Sequence, residues 1–169
     1  MENINIGFIG AGNMASALIG GLCKSGFPGN RLYISDPDEK KRQPLATTFQ
    51  LNTCVTNQDL LEQCQVVVLA VKPQVMKDVI TGLSVGTGER LYLSIAAGIR
   101  TDHLLAWFGQ EVALVRAMPN TPALVQAGAA GLFANTAVTN EQRVMAENIM
   151  SAVGLAPVSY THLTLPTTI

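Results

Sequence analysis

A doubly wound α/β fold, with a mostly parallel sheet and helices on both faces, is the architecture this sequence predicts. Three observations point to it. Short apolar runs alternate with helical patterns along nearly the whole chain, the order expected of βαβ units with right-handed crossovers. One run, Gln65 to Val71 with Val66-Val67-Val68-Leu69 at its centre, is apolar without alternation and rich in β-branched residues. Such a run suits a strand covered on both faces. A glycine-rich turn, Gly10-Ala11-Gly12, stands between the first strand and the first helix.

The elements follow in order. Ile4 to Ile9 is the first strand, and Ala15 to Leu22 a small-residue helix ending near Ser25-Gly26. Arg31 to Ser35 is the second strand. Glu39 to Phe49 reads as helix, although Pro44 argues for a break or a late start, because its ring removes an N–H and crowds the preceding turn. Thr53 to Thr56 is a short third strand and Asp59 to Gln63 a helical turn or two. After the Gln65 to Val71 strand, Pro73 sits where a helix can begin. Val75, Met76, Val79, Ile80 and Leu83 continue from it at helical spacing. Leu91 to Ile95 is a strand, and Asp102 to Phe108 a helix with Thr101 in the capping position. Ala113 to Ala117 and Ala129 to Ala134 read as strands, and Asn140 to Val153 as an amphipathic helix.

Composition narrows the function classes. A chain of 169 residues corresponds to roughly one domain at about 100–200 residues each. With 48% hydrophobic and 14% charged residues it is too apolar for a disordered chain. Eleven Lys and Arg against 12 Asp and Glu leave a net charge of -1, so no basic excess points to nucleic acid or an anionic membrane. No apolar run approaches the roughly 20 residues of a membrane span, and Met1-Glu2-Asn3-Ile4 lacks the basic start of a secretory signal. Cys23, Cys54 and Cys64 are odd in number and without metal spacing, and His103 and His162 form no ligand cluster. The expectation is a cytoplasmic protein without metal or disulfides.

The segment Gly7-Phe8-Ile9-Gly10-Ala11-Gly12-Asn13-Met14-Ala15 contains Gly10-x-Gly12-x-x-Ala15 in the strand–turn–helix context that a Rossmann-type dinucleotide site demands. Gly10 permits the tight turn, Gly12 lets a pyrophosphate approach the backbone, and Ala15 allows close helix–strand packing. The helix start then offers free N–H groups and a positive dipole end. The second strand ends at Ser35-Asp36, where an acidic residue commonly bonds the adenosine ribose. Asp36 argues for NAD(H). Ser35, with Lys40, Lys41 and Arg42 nearby, argues for NADP(H). A turn-forming and capping role for Asp36-Pro37-Asp38 is the structural alternative.

Three further segments join this turn in order: Ala70-Val71-Lys72-Pro73, Ser94-Ile95-Ala96-Ala97-Gly98 and Arg116-Ala117-Met118-Pro119-Asn120-Thr121-Pro122. Together with Phe8 to Met14 they resemble pyrroline-5-carboxylate reductase, from about Ile4 to about Leu155. The resemblance implies NADP(H), with NAD(H) as the alternative, as hydride donor to the C=N bond of 1-pyrroline-5-carboxylate in proline biosynthesis. It places Ile9, Gly10, Ala11, Gly12, Asn13 and Met14 at the pyrophosphate, and Ser35, Asp36 and Asn57 at the adenosine side. Ala70, Val71, Lys72, Pro73, Ala97 and Gly98 would line the cleft, with Asn120 and Thr121 near the nicotinamide and substrate. No residue is assigned a catalytic role.

The family also has a helical C-terminal domain that completes the substrate pocket and builds a homo-oligomer, marked by a Ser-Gly-Ser-Gly-Pro-Ala-like segment that this sequence lacks. The expectation is therefore a truncated chain. Residues 1–158 form the dinucleotide-binding domain, residues 159–169 a non-native or disordered tail, and the reductase activity of the chain by itself is little or none. Two alternatives stand beside this: a β-hydroxyacid dehydrogenase-like oxidoreductase, and a nucleotide-binding module without catalysis.

Overall fold

The computed structural model describes residues 3–119, 129–153 and 156–160. Strand β1 (Ile6–Ile9) runs into the glycine turn and α1 (Asn13–Lys24). Then follow β2 (Leu32–Ser35), α2 (Glu39–Phe49), β3 (Asn52–Thr53), α3 (Asn57–Gln63), β4 (Val66–Leu69) and α4 (Pro73–Thr81). The chain continues through β5 (Leu91–Ser94), α5 (Thr101–Phe108), β6 (Ala113–Pro119), β7 (Ala129–Ala134), α6 (Asn140–Ser151) and β8 (Ala156–Tyr160). One eight-stranded sheet has the order β3-β2-β1-β4-β5-β6-β7-β8. The first six strands are parallel, β7 is antiparallel to β6, and β8 is parallel to β7. The order reverses between β1 and β4, the switch point outside which doubly wound sheets bind ligands.

Strand periodicity divides the interior into two layers. Ile6, Phe8, Val66, Val68, Leu91, Leu93 and Val115 face α1, α2 and α6 through Leu18, Ile19, Leu45, Ala146 and Ile149. Ile9, Val67, Leu69, Tyr92 and Leu114 face α3, α4 and α5 through Leu60, Leu61, Met76, Ile80, Leu104 and Phe108. All four residues of β4 are buried, which explains why that run is apolar without alternation. Burying such side chains contributes about 1.5–3 kcal/mol each.

Several boundaries differ from the sequence expectation for local reasons. Helix α2 runs unbroken through Pro44. Pro44 is exposed, so the carbonyl it leaves without a partner can be solvated, while Leu45, Ala46 and Phe49 hold the helix on the core. Helix α3 starts two residues earlier than expected because the Thr56 hydroxyl accepts the Asp59 N–H at 3.0 Å. Thr101 is the first residue of α5 and not its cap. The cap position belongs to Arg100, whose guanidinium binds the Asp102 carboxylate at 3.1 and 2.8 Å. Helix α6 has a capping box, Thr139 with Gln142, that fixes its start. Strand β8 was not expected, and it extends past the boundary set at residue 158. Residues 161–169 lie outside the described residues.

Candidate functional site

The registers align one row of residues across five parallel strands, at the carboxyl ends of four, Ser35, Ile9, Leu69 and Ser94, and midway along β6 at Arg116. By alternation all five belong to the face covered by α3, α4 and α5. Three are polar and buried: Ser35 (2% exposed), Ser94 (0%) and Arg116 (3%). Polar groups in that setting need partners or a role.

The glycine turn sits above this row at the switch point. Gly10 has φ +105°, and a Cβ there would lie 2.7 Å from the Ala70 carbonyl oxygen. Its N–H donates to the Ser35 carbonyl at 2.9 Å, and the Ala70 N–H donates to the Ile9 carbonyl at 2.9 Å. Gly10 is therefore glycine because the protein's own backbone requires it. Gly12 differs. Its φ and ψ, -80° and -168°, are open to any residue. A Cβ there would meet no atom of the described residues within 4 Å. It caps α1 without a side-chain hydrogen bond, and the helix's first backbone bond runs from the Ser16 N–H to the Gly12 carbonyl at 3.0 Å. The preceding first-turn N–H groups stand at the positive end of a helix dipole, an arrangement suited to phosphate.

Beyond the turn, Asp36 uses both carboxylate oxygens on backbone: Oδ2 accepts the Ala11 N–H at 2.8 Å and Oδ1 the Asp38 N–H at 2.8 Å. The Ser35 hydroxyl donates to Asn57 Oδ1 at 2.6 Å, so residues 22 positions apart form one polar corner. The Arg42 guanidinium donates to the Asp36 carbonyl at 2.6 Å. Asn57 also borders a depression of about 470 Å³ between α3 and α4, lined by Thr56, Gln58, Val75, Val79 and Leu83 among others. Val75 is exposed there. A larger cavity, about 630 Å³, lies at the opposite end of α1 beside Phe27 and Asn148, away from the glycine turn. The site is therefore defined by chemistry and not by volume.

On the other side of the turn, Lys72 is exposed at the cap of α4, with Pro73 as its first residue. Ile95 donates to the Leu69 carbonyl at 3.3 Å, which brings the exposed Ala97 and Gly98 to the same edge. The structure thus brings Ile9–Met14, Ser35, Asp36, Asn57, Ala70–Pro73 and Ala97-Gly98 to one edge of the sheet. Asn120 lies outside the described residues. Sequence reasoning missed three features here. One is Asp36 as a clasp on the turn. Another is Val75 and Val79 on the depression; their helical spacing signalled core and gave no hint of a groove. The third is Arg116, quoted only as part of a motif. Its Nε is buried without a hydrogen-bond partner among the described residues. Burial pushes its pKa down, the nearby Arg100 charge adds to this, and Asp102 opposes it. Among the described residues no group of three His, Cys, Asp or Glu could hold a metal, and no helix is long and apolar enough to cross a membrane.

Comparison with known proteins adds independent findings. Residues 5–98 match the family described as NADP oxidoreductase, coenzyme F420-dependent. The chain is 46% identical over 157 residues to the pyrroline-5-carboxylate reductase of Pseudomonas aeruginosa, covering 92% of this chain and 58% of that protein. It is 44% identical to that of Haemophilus influenzae, covering 91% and 57%. Among solved structures, a pyrroline-5-carboxylate reductase from Coxiella burnetii superposes with a TM-score of 0.86 at 40% identity, over 92% of this chain and 59% of that one. The Plasmodium falciparum pyrroline carboxylate reductase, solved with NADP bound, superposes with a TM-score of 0.79 at 29% identity, over 94% and 59%. The chain spans less than three fifths of the length of each of these relatives.

Proposed function

This chain belongs to the family described as NADP oxidoreductase, coenzyme F420-dependent, and from that premise we propose that it binds NADP(H) across the carboxyl edge of β1, β4 and β5. As a homologue of the N-terminal portion of pyrroline-5-carboxylate reductases, it supplies the cofactor half of an enzyme that reduces 1-pyrroline-5-carboxylate to L-proline in the cytoplasm.

Gly12 carries this reading. Packing and backbone conformation both permit a side chain there, yet the position holds glycine. A ligand in close contact with the backbone accounts for that, and no contact among the described residues requires it. In this reading the first-turn N–H groups of α1 hold the pyrophosphate. Ser35, Asp36 and Asn57 border the adenosine ribose. Ala70–Pro73 and Ala97-Gly98 wall the nicotinamide end and exclude water from it. When bound, the reduced nicotinamide supplies hydride from its C4 to the imine carbon. The chain's own contribution is orientation. No residue of this chain is assigned proton transfer to the imine nitrogen, and the chain alone is expected to turn over little or no substrate.

The test compares the wild-type chain with Gly12→Asp, following nicotinamide fluorescence as NADPH is added. Aspartate is a favourable cap residue and suits the helix dipole, so Gly12→Asp should melt at or above the wild-type midpoint. Its carboxylate occupies and repels the phosphate position, so affinity should fall by about 100-fold or more. A Gly12→Asp chain that binds NADPH as the wild type does, or a cooperatively folded wild type that does not bind it, would sink the proposal.

A further inference from the structure

Arg116 is a buried cation without a counter-ion. It is 3% exposed, its Nε has no hydrogen-bond partner among the described residues, and the one ion pair among them is Arg100 with Asp102. Taking a guanidinium out of water unpaired is costly, and a residue kept at that cost points to a ligand. Its neighbours define the kind. By register Arg116 stands between Ser94 on β5 and Phe133 on β7. Ser94 Oγ accepts the Ala96 N–H at 3.4 Å, and its own proton has no acceptor among the described residues. The core on this face reaches Leu114 on β6 and includes no described residue of β7. Arg116 therefore lies at the margin of the packed layer, where a ligand can approach past the half-buried Phe133.

Helix α5 begins beyond the carboxyl end of β5 and adds to this margin. The His103 N–H goes to Asp102 and the Leu104 N–H to the Arg100 carbonyl. The Thr101 and Asp102 N–H groups have no acceptor among the described residues, and they stand at the positive end of the helix dipole. Arg100 and Asp102 are the charges that act on Arg116, in opposite senses. Asp102 is not the missing counter-ion, because both its oxygens engage the Arg100 guanidinium, at 3.1 and 2.8 Å, on the exposed surface.

We propose that Arg116 anchors a small carboxylate beside the Ala97-Gly98 edge, with Ser94 and the first turn of α5 as further donors. A planar carboxylate matches the guanidinium fork. One unpaired guanidinium balances one negative charge, which favours a monoanion over phosphate. The site goes beyond cofactor binding and does not depend on it. Two sources share the chemistry: free carboxylic acids in general, or the acid group of the imine substrate and of its product L-proline.

The experiment follows the Arg116 Nε–Hε signal of the 169-residue chain by NMR, assigned by its loss in Arg116→Met. Sodium acetate, L-proline, pyrrolidine or sodium phosphate is added at constant ionic strength. Acetate and L-proline should shift the signal saturably, with a Kd of about 1–10 mM for one charge-assisted contact. Pyrrolidine, the ring without the acid, should not shift it, and phosphate should bind at least about 10-fold more weakly than acetate. Saturating acetate should raise the thermal midpoint of the wild type and not that of Arg116→Met. Arg116→Lys, which keeps the charge but not the fork, should weaken acetate by about 5- to 10-fold. L-proline no tighter than acetate assigns the site to carboxylates in general; a tighter L-proline assigns it to the acid group of the substrate and product. Three outcomes would overturn the site. The first is a folded wild type whose signal responds to neither acetate nor L-proline. The second is an Arg116→Met chain that acetate stabilises as it does the wild type. The third is phosphate binding as tightly as acetate, which would mark an anion drawn by charge alone.

Discussion

Gly10 and Gly12 stand two residues apart in one motif and are glycine for different reasons. The first is demanded by a positive φ and the Ala70 carbonyl; the second is demanded by no contact among the described residues. Arg116 poses the converse case, a residue whose chemistry exceeds what its surroundings use. Arg116 is 3% exposed and its Nε has no acceptor among the described residues, so folding desolvates a cation that no carboxylate among them pairs directly. Replacing buried charges by apolar residues of similar volume is often neutral, or stabilising by about 1–4 kcal/mol. Arg116→Met is accordingly expected to leave the thermal midpoint unchanged or raise it. A fall of several degrees would mean that the arginine is held by favourable interactions that its hydrogen bonds do not reveal.

At the scale of elements, the contact between α1 and α6 turns on a single position. A Cβ at Gly21 would lie 1.9 Å from the Ala152 carbonyl oxygen, beside the end of α6. At neighbouring Gly20 it would meet only Phe49 Cζ at 3.6 Å, an ordinary contact. Both glycines sit inside a helix, where alanine is intrinsically better by about 1 kcal/mol. At Gly20 nothing opposes that gain, so Gly20→Ala should stabilise by about 0.5–1 kcal/mol. At Gly21 a clash with rigid backbone outweighs it, and Gly21→Ala should destabilise by about 1–3 kcal/mol. Urea denaturation of the two variants checks the opposite signs, and a common sign would contradict the helix contact. The same contrast explains what was legible in the sequence. Val66–Leu69 announced itself because its own residues record burial on both faces. Thr56 as the cap of α3 was missed because Asn57 and Gln58 are weak helix markers. Pro44 misled because propensity cannot see that its turn faces solvent. Strand β8 was invisible because its pairing with β7 is settled by a partner far away in sequence.

For the molecule as a whole, the sheet separates two cores of different chemistry, and the site lies along their shared upper edge. The motif Gly10-x-Gly12-x-x-Ala15 pointed to that edge as the candidate site from sequence alone. The bonds that tune it, Asp36 to Ala11 and Ser35 to Asn57, join separate elements and became readable only with the fold. The layer under α3, α4 and α5 also carries the buried ionisable groups Cys54, Cys64 and Tyr92, which makes it the side that alkali should attack. Burial pushes the Cys64 thiol from its ordinary 9.0 to about 12, neighbouring Cys54 adds to this, and Arg90 opposes it. Its folded pKa lies above its unfolded one, so the neutral thiol's contribution is intact below pH 9 and is lost as pH rises from 9 toward about 12. Tyr92, whose pKa burial also raises, acts in the same direction. Cys64→Ala should lose about 1 kcal/mol at neutral pH through the small cavity it leaves. Across the alkaline window its urea midpoint should decline less steeply than that of the wild type, so the two curves converge. Parallel curves would show that the thiol does not govern alkaline stability, and that the weakness of this layer lies elsewhere.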